Sequence, residues 1–372
     1  MDPQSVFCHN LACPARGQRG EGNIGVHSLK ERRYICHVCG QTFTASKGSA
    51  FYRLHSLRET FVIVITLLAH GCPLQAIVAA FGLDERTVAR WQERAGAHCA
   101  QLHQHLVEQP RDLGQVQADE LRVKQQGGIV WMAAALAVST RLWLGGVISN
   151  QRDSALITDL VHIITACALC RPLLICVDGF AAYISAVQSV FRTAIPSHRR
   201  GRPQLRSWPD ICLGQVVKQY AHKRVVGVTR RIVQGTVAQV TALLQRTQGS
   251  GQINTAYIER LNATFRARMA ALVRRGRALA QQTETLQHAM YLVGTVYNFC
   301  HCHKSLRLKI YLPHDRHHWV SRTPAVAAGI TDHRWTVAEL LSWQPLIPRW
   351  KPPKQRGRRS NVTKALIARW CS

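Results

Sequence analysis

Acidic side chains are scarce in this chain. Its 372 residues hold 20 Asp and Glu against 48 Lys and Arg, which gives a net charge of +28 with neutral histidines. Such an excess of positive charge disfavours cationic partners and favours a polyanion, of which DNA and RNA are the usual examples. Charge alone leaves open a basic protein that only binds nucleic acid and carries out no chemistry.

Long apolar segments are also lacking. No uncharged apolar run reaches the ~18 residues that a membrane-spanning helix needs. The nearest candidate, residues 129–149, is interrupted by Ser139, Thr140 and Arg141 and fits two strands around a turn better. The first ten residues have no apolar core and therefore do not resemble a signal peptide. We expect no membrane partner and a cytoplasmic location.

A disulfide framework is not indicated either, because the 13 cysteines are odd in number and scattered over a large chain. Residues 1–50 instead predict a zinc-binding knuckle domain, since they contain little apolar material and a bound metal would supply the missing core. Gly40 follows the second cysteine pair, where a knuckle needs a left-handed turn. Four unrelated thiols are the alternative. The predicted ligands of one structural Zn²⁺ are Cys8, Cys13, Cys36 and Cys39.

Residues 51–110 predict a helical DNA-binding domain. Within it, residues 74–97 fit a helix-turn-helix, with a glycine-containing turn before the second helix and Asp84 as its N-cap. A plain helical hairpin has the same pattern. The side chains predicted to pack inward are Val88, Trp91 and Ala95. The side chains predicted to contact a DNA groove are Arg86, Thr87 and Arg90.

From Gln115 the hydrophobic period changes to that of strands. Three strands, a helix, a strand ending at Asp178 and another helix predict an α/β fold with a mixed sheet. We place an RNase H-like catalytic domain at 111–305. Its basic insertion, 192–250, contains a predicted β-hairpin at 215–235. Residues 254–275 and 283–301 predict two helices.

Three carboxylates are predicted to converge in that domain. In an RNase H-like sheet the first strand, with Asp119, lies beside the fourth, which ends at Asp178, and Glu259 arrives on a later helix. Such carboxylates repel one another unless divalent cations bind. Two Mg²⁺ (or Mn²⁺) ions there would support phosphoryl transfer on a DNA backbone. Taken singly, each acid could equally be a cap or a paired surface residue.

Glu120 is the rival of Asp119. Strand alternation puts the two on opposite faces, so we expect only one of them to serve. On the helix of Glu259, Thr255, Asn262 and Arg266 share its face, and Arg266 could hold a DNA phosphate. The DNA-binding residues predicted from this region are Asn262, Arg266, Arg274 and Arg275.

Residues 306–372 predict a C-terminal extension with a basic tail. Residues 335–343 predict a short helix with Thr336 as its N-cap. The segment 349–359 is rich in basic residues and prolines and predicts a solvated, disordered tail.

The order of these motifs resembles a known family. The zinc knuckle, the helix-turn-helix, QADELRVK, CVDGFAAY, NTAYIERLNATFRAR and YNFCHCHKSLR are similar to those of transposases of insertion-sequence-one-like elements, and TPAVAAGITDHRWTVAELL is similar to long members. The resemblance covers about residues 5–343. This chain departs from compact members in its long basic segment between Asp178 and Glu259 and in its tail beyond Trp343.

The resemblance implies a bacterial DDE transposase associated with the nucleoid, with Asp119, Asp178 and Glu259 as its acids and Arg266 as the accompanying basic residue. It implies metal-dependent cleavage of double-stranded DNA at terminal inverted repeats and strand transfer to target DNA. Two DNA ends to join make a homodimer or a larger oligomer the expected assembly. A sequence-specific DNA-binding regulator with an inactive catalytic domain and an RNase H-like nuclease without strand transfer are the competing hypotheses.

Overall fold

The structure is a computed structural model that describes residues 1–195, 203–222, 224–249, 251–273, 280, 282–311, 317–352 and 354–371. The helices of the described residues are α1 (Arg58–Ala69), α2 (Leu74–Phe81), α3 (Glu85–Leu106), α4 (Ser154–Cys167), α5 (Ala182–Val190), α6 (Val237–Gln248), α7 (Ala256–Arg268), α8 (Thr283–Cys300), α9 (Pro324–Ala327), α10 (Val337–Ser342) and α11 (Asn361–Trp370). Their strands are β1 (Ile24–Ser28), β2 (Arg33–Cys36), β3 (Thr42–Thr44), β4 (Gln115–Gln125), β5 (Gly128–Ala137), β6 (Trp143–Ser149), β7 (Leu173–Asp178), β8 (Arg192–Ala194), β9 (Leu205–Ser207), β10 (Ile211–Ala221), β11 (Arg224–Gln234), β12 (His303–Tyr311) and β13 (His317–Arg322).

The chain divides into two compact units. One consists of Met1–Arg58 together with Leu341–Ser372, and the other of Glu59–Leu340. The first and last segments of the chain therefore fold together, where the sequence predicted a separate knuckle domain and a separate C-terminal extension. Most of the predicted helical domain, the predicted catalytic domain and residues 306–340 of the predicted C-terminal extension lie within the other unit.

The first unit is built around a small antiparallel sheet of β1, β2 and β3. Its core contains Tyr34, Phe43 and, from the other end of the chain, Trp370, which is 3% exposed. The side-chain amide of Gln18 donates to the carbonyl of Trp370 at 3.1 Å. The sequence analysis placed no helix beyond the basic tail, yet α11 forms there behind the N-cap Ser360 and completes this core.

The second unit contains a six-stranded mixed sheet in the order β11-β10-β7-β4-β5-β6. Strands β4, β5 and β6 are the three successive strands that the sequence predicted; they pair as an antiparallel meander, and β7 lies parallel to β4. Strand β10 lies parallel to β7 and continues into β11, which confirms the hairpin predicted at 215–235. The neighbouring position of β4 and β7 brings together the strands that carry two of the predicted acids.

Helices cover the sheet. Leu121 on β4 packs in one apolar cluster with Leu261 and Phe265 of α7 and with residues of α8. At one point α8 approaches β6 so closely that a Cβ on Gly294 would lie 2.3 Å from the ring of Trp143, so glycine is required there. Helix α7 ends at Arg268, earlier than predicted, because Met269 has an extended backbone and is buried in the same cluster.

Helices α2 and α3 meet at a short turn. Gly82 ends α2 with φ 61°, a left-handed conformation that favours glycine. Asp84 caps α3 as predicted, since its carboxylate accepts the backbone N–H of Thr87 at 3.0 Å. The three residues predicted to face inward, Val88, Trp91 and Ala95, are all buried. None of the described helices is long and apolar enough to cross a bilayer.

The buried position of Trp370 predicts that α11 stabilises the first unit. Trp370→Ala should lower its free energy of unfolding by about 3–5 kcal/mol, the usual cost of truncating a buried tryptophan. Val362→Ala, on an exposed position of the same helix, is the matched control and should cost less than about 0.5 kcal/mol. Thermal unfolding and limited proteolysis within residues 1–58 measure the effect. Equal behaviour of the two variants would contradict the packing role.

Candidate metal centres

Four thiols lie together in the first unit. The sulfurs of Cys8 and Cys39 are 3.6 Å apart and those of Cys13 and Cys36 are 3.8 Å apart. All four Sγ atoms lie within 4.8 Å of one another. Zn–S bonds of about 2.3 Å in a tetrahedron separate the sulfurs by about 3.8 Å, whereas a disulfide needs about 2.05 Å. The four predicted cysteines therefore form a group that could hold one zinc ion.

Tight backbone turns hold the sulfurs in place. In the second cysteine pair the carbonyl of Cys36 accepts the N–H of Gly40 at 2.8 Å, and Gly40 has φ 68°. This is the left-handed glycine that the sequence predicted. In the first pair the carbonyl of Cys8 accepts the N–H of Gly17 at 3.1 Å. A Cβ on Gly17 would lie 2.5 Å from the carbonyl oxygen of Ile347, so the position requires glycine.

Burial and hydrogen bonding shift the pKa values of these thiols. Burial raises the pKa of Cys13 to about 12 and also raises that of Cys8. For Cys39, burial raises the pKa, but hydrogen bonds from the backbone of Gln41 and the side chain of Asn10 outweigh it and hold the value at about 7. Zinc binds the thiolate form of cysteine. A bound Zn²⁺ would supply the positive charge that stabilises thiolates in this buried group.

The thiol geometry predicts that Cys36→Ser removes zinc and unfolds the first unit. Cys170→Ser is the matched control, because Cys170 is exposed and outside the group. Elemental analysis of the purified proteins should show zinc in the wild type and the control and its loss in Cys36→Ser. Unchanged zinc content in Cys36→Ser would refute the assignment of Cys36 as a ligand.

Carboxylates form a second group where β4 and β7 stop pairing, in the middle of β4 and at the end of β7. The last pair of these parallel strands is Gln117 with Cys176, and Asp119 and Asp178 each lie two residues further on. Two residues along a strand return to the same face, so both carboxylates emerge on one side of neighbouring strands. Oxygens of Asp119, Glu120 and Asp178 lie within 4.8 Å of one another. Oxygen ligands of this kind are what Mg²⁺ and Mn²⁺ prefer, so the group could bind such an ion.

The position of Glu120 differs from the expectation. Strand alternation predicted that Glu120 would lie away from the site, but its carboxylate lies with those of Asp119 and Asp178. Its carboxylate accepts hydrogen bonds from the Nε and Nη2 of Arg152, at 3.0 and 2.8 Å, and from the hydroxyl of Tyr183. Because β4 and β7 stop pairing at Gln117, acids from both faces meet in the gap between the strands. Burial raises the pKa of Glu120, while the bonds from Tyr183 and Arg152 oppose that rise.

Glu259 lines the same cleft, of about 480 Å³, as Asp119 and Asp178. It lies outside the group of three within the part of the chain that the structure describes. Its Oε1 accepts hydrogen bonds from the Nζ of Lys218 at 2.7 Å and from the hydroxyl of Thr255 at 3.1 Å. Thr255 therefore shares the face of Glu259, as the helical spacing predicted.

Asp119 is the most perturbed acid of the cleft. Burial raises its pKa to about 6, and the charges of Glu120 and Asp178 add to the effect. The side-chain amide of Asn262 donates to its Oδ2 at 2.8 Å, and Asn262 is only 1% exposed. This position gives Asn262 a carboxylate partner in place of the DNA contact predicted from the sequence.

Two basic side chains that the sequence analysis did not single out neutralise the cleft. Arg152 bridges Glu120 and Asp178, with Nη2 3.1 Å from Asp178, and its guanidinium lies 4.4 Å from the centre of the Phe180 ring. Lys218 pairs with Glu259. Their only signal in the sequence is positive charge, which 48 residues share, so nothing in the pattern marks these two.

The remaining predicted DNA contacts do not lie together within the described residues. Arg86 and Arg90 are exposed near the start of α3, while Thr87 is half-buried against Asp84. Arg266 lines a second cleft that also contains Glu120 and Trp131. The last two predicted contacts, Arg274 and Arg275, lie outside the described residues.

No protein-family model matches this chain, and no curated protein shows significant similarity to it.

The raised pKa of Asp119 predicts a pH-dependent stability. A carboxyl whose folded pKa exceeds its unfolded value contributes stability below the unfolded value near 4, and this is lost as the pH rises through about 6. Asp119→Asn should therefore be more stable than the metal-free wild type at pH 7.5, by on the order of 2 kcal/mol, and no more stable below pH 4.

Thermal unfolding measures this difference, with Asp159→Asn, an exposed acid on α4, as the control. Added Mg²⁺ should raise the Tm of the wild type and the control but not that of Asp119→Asn, because a ligand that binds only the folded state stabilises it. A Tm of the wild type that does not respond to Mg²⁺ or Mn²⁺ would contradict the metal assignment.

Proposed function

We propose that this chain is a DDE-type DNA transposase that cleaves DNA at the terminal inverted repeats of its own element and joins the ends to target DNA. The observation that carries the proposal is the convergence of Asp119 and Asp178 beside Glu259 in one cleft of a protein with a net charge of +28. A strongly basic protein attracts a polyanion, and an acidic cleft within it suits divalent cations beside a phosphodiester.

The topology supports an RNase H-like catalytic domain. In such a domain the first strand lies beside the fourth, and β4 and β7 hold those places in the present sheet. The third acid comes from α7, which packs against β4 and β5 through the apolar cluster that contains Leu261 and Phe265. This arrangement matches the element order from which the acids were predicted.

The chemistry follows from the donor set. Bound Mg²⁺ or Mn²⁺, two ions in the proposed mechanism, would supply an activated nucleophile and stabilise the leaving 3′ oxygen. Asp119 and Asp178 would hold these ions, with Glu259 as the third acid. Asn262 fixes the carboxylate of Asp119 by donating to its Oδ2 at 2.8 Å.

Lys218 and Arg152 act beside these acids. The ammonium of Lys218 contacts Glu259, and the guanidinium of Arg152 contacts Asp178. Once cations neutralise the acids, the two basic side chains are placed to bind phosphate oxygens of the DNA strand.

Sequence recognition is assigned to two parts of the chain. The pair α2 and α3, joined at Gly82, acts as a helix-turn-helix in which the exposed Arg86 and Arg90 contact the DNA groove. The four-cysteine module, with one structural zinc ion, supplies a second contact surface. Two ends must be held together for joining, so the active assembly is at least a homodimer, acting on DNA in a bacterial cytoplasm.

A DNA-end cleavage assay tests the proposal. The substrate is duplex DNA from the flanks of the coding sequence, with Mg²⁺ or Mn²⁺ present. The wild type should nick this DNA at the element end, and Asp178→Asn and Glu259→Gln should reduce nicking at least ~100-fold while both still bind the duplex, because they remove an oxygen ligand and leave the basic surfaces intact. Asp159→Asn should cleave like the wild type.

The products discriminate among the competing functions. A joined product between the end and a target plasmid supports transposition, whereas nicking without joining would indicate a nuclease. Binding without metal-dependent nicking would refute the proposed enzymatic activity and favour a DNA-binding regulator.

A further inference from the structure

Strands β12 and β13 form a separate two-stranded ribbon in the second unit. They pair in an antiparallel register that includes Leu308 with Val320, Lys309 with Trp319 and Tyr311 with His317, and no further strand joins them among the described residues. Arg322 donates from its Nε to the carbonyl of Leu306 at 2.8 Å, which ties the base of the ribbon together. Leu306 is buried at the base of the ribbon, whereas residues 307–311 and 317–319 are exposed.

The two faces of the ribbon differ in chemistry. Residues paired across an antiparallel ladder share a face, so Lys309 lies with Trp319 and Tyr311 with His317. Arg307 belongs to the same face, because its guanidinium lies 4.9 Å from the centre of the Trp319 ring. The other face carries mainly aliphatic side chains, those of Leu306, Leu308, Ile310 and Val320, together with His318, which pairs with Ile310.

The first of these faces combines exposed rings with cations. Tyr311 is 73% exposed and Trp319 is 45% exposed, although such side chains gain most from burial. The ammonium of Lys309 lies 4.9 Å from the Tyr311 ring, so each ring has a cation beside it. The two strands carry four Lys and Arg residues and no acid along their described lengths.

We propose that this face, defined by Arg307, Lys309, Tyr311, His317 and Trp319, binds an unpaired DNA strand. Exposed rings gain by stacking on base faces, and the neighbouring cations bind the phosphates that follow each base. In a duplex the base faces are covered by their neighbours, so the rings would gain little there. The inference rests on the proposed function for its choice of DNA, and it adds a site that the acidic cleft and the helices do not supply.

Binding of single and double strands separates this site from the rest of the basic surface. Fluorescence anisotropy is measured on full-length protein with labelled oligothymidylate and with a duplex of matched length. Tyr311→Ala and Trp319→Ala should each weaken single-strand binding about 5-fold or more, the range for loss of one stacked base, and change duplex binding less than about 2-fold. Leu308→Ala, on the aliphatic face of the same ribbon, is the matched control and should change neither.

A second measurement guards against a folding defect in the variants. Irradiation of the wild type with a bromodeoxyuridine oligonucleotide should cross-link a peptide that contains Tyr311 or Trp319. Equal weakening of single-strand and duplex binding in both ring variants, or cross-links that map only elsewhere, would overturn the proposal. So would a loss of self-association in the ring variants without any loss of single-strand binding, since that outcome assigns the face to a second copy.

The end-cleavage assay is run on the same preparations. Absent cleavage with selective loss of single-strand binding in the ring variants would reject the transposase and keep the ribbon site. Normal cleavage without that selective loss would reject the ribbon site and keep the transposase.

Discussion

Repulsion between carboxylates at the point where two parallel strands stop pairing is the constraint around which the larger unit is arranged. Asp119, Glu120 and Asp178 lie together, and Glu120 is buried, so their like charges are costly. The chain offsets that cost from three sides, with Arg152 on Glu120 and Asp178, Lys218 on Glu259, and the amide of Asn262 on Asp119. Burial, together with the charges of Glu120 and Asp178, still raises the pKa of Asp119. A divalent cation bound there would relieve the remaining cost, so affinity for such a cation and instability of the metal-free fold would have the same origin.

Much of this unit could be predicted from the sequence because its signals are local. Alternating and apolar runs marked β4 to β7, glycine and Asp84 marked the start of α3, and scarcity of acids drew attention to Asp119 and Asp178. The position of Glu120 could not be predicted in the same way. Alternation assigns a face but not the point where two strands stop pairing, and it is the gap beyond Gln117 that lets the carboxylates meet. The partners Arg152 and Lys218 come from distant elements and share their charge with many other residues.

The smaller unit was harder to predict because it joins segments from both ends of the chain. The cysteine spacing predicted the thiol cluster, because the geometry of such ligands is encoded in a few neighbouring residues. The tail beyond it was judged by composition, and basic residues with prolines indicated no packing. Composition does not reveal that a single ring, that of Trp370, fills a core more than three hundred residues away in sequence. Long-range packing of this kind leaves no periodic signal.

That closure has a consequence for how the protein is made. Residues up to Arg58 leave the ribosome first, but the ring that completes their core belongs to residue 370. At ~5–20 residues per second, translation needs roughly 15 to 60 s to supply it. Throughout that interval the nascent segment that carries Cys8, Cys13, Cys36 and Cys39 lacks the ring that closes its core. The core of this unit can therefore be completed only after α11 has been translated.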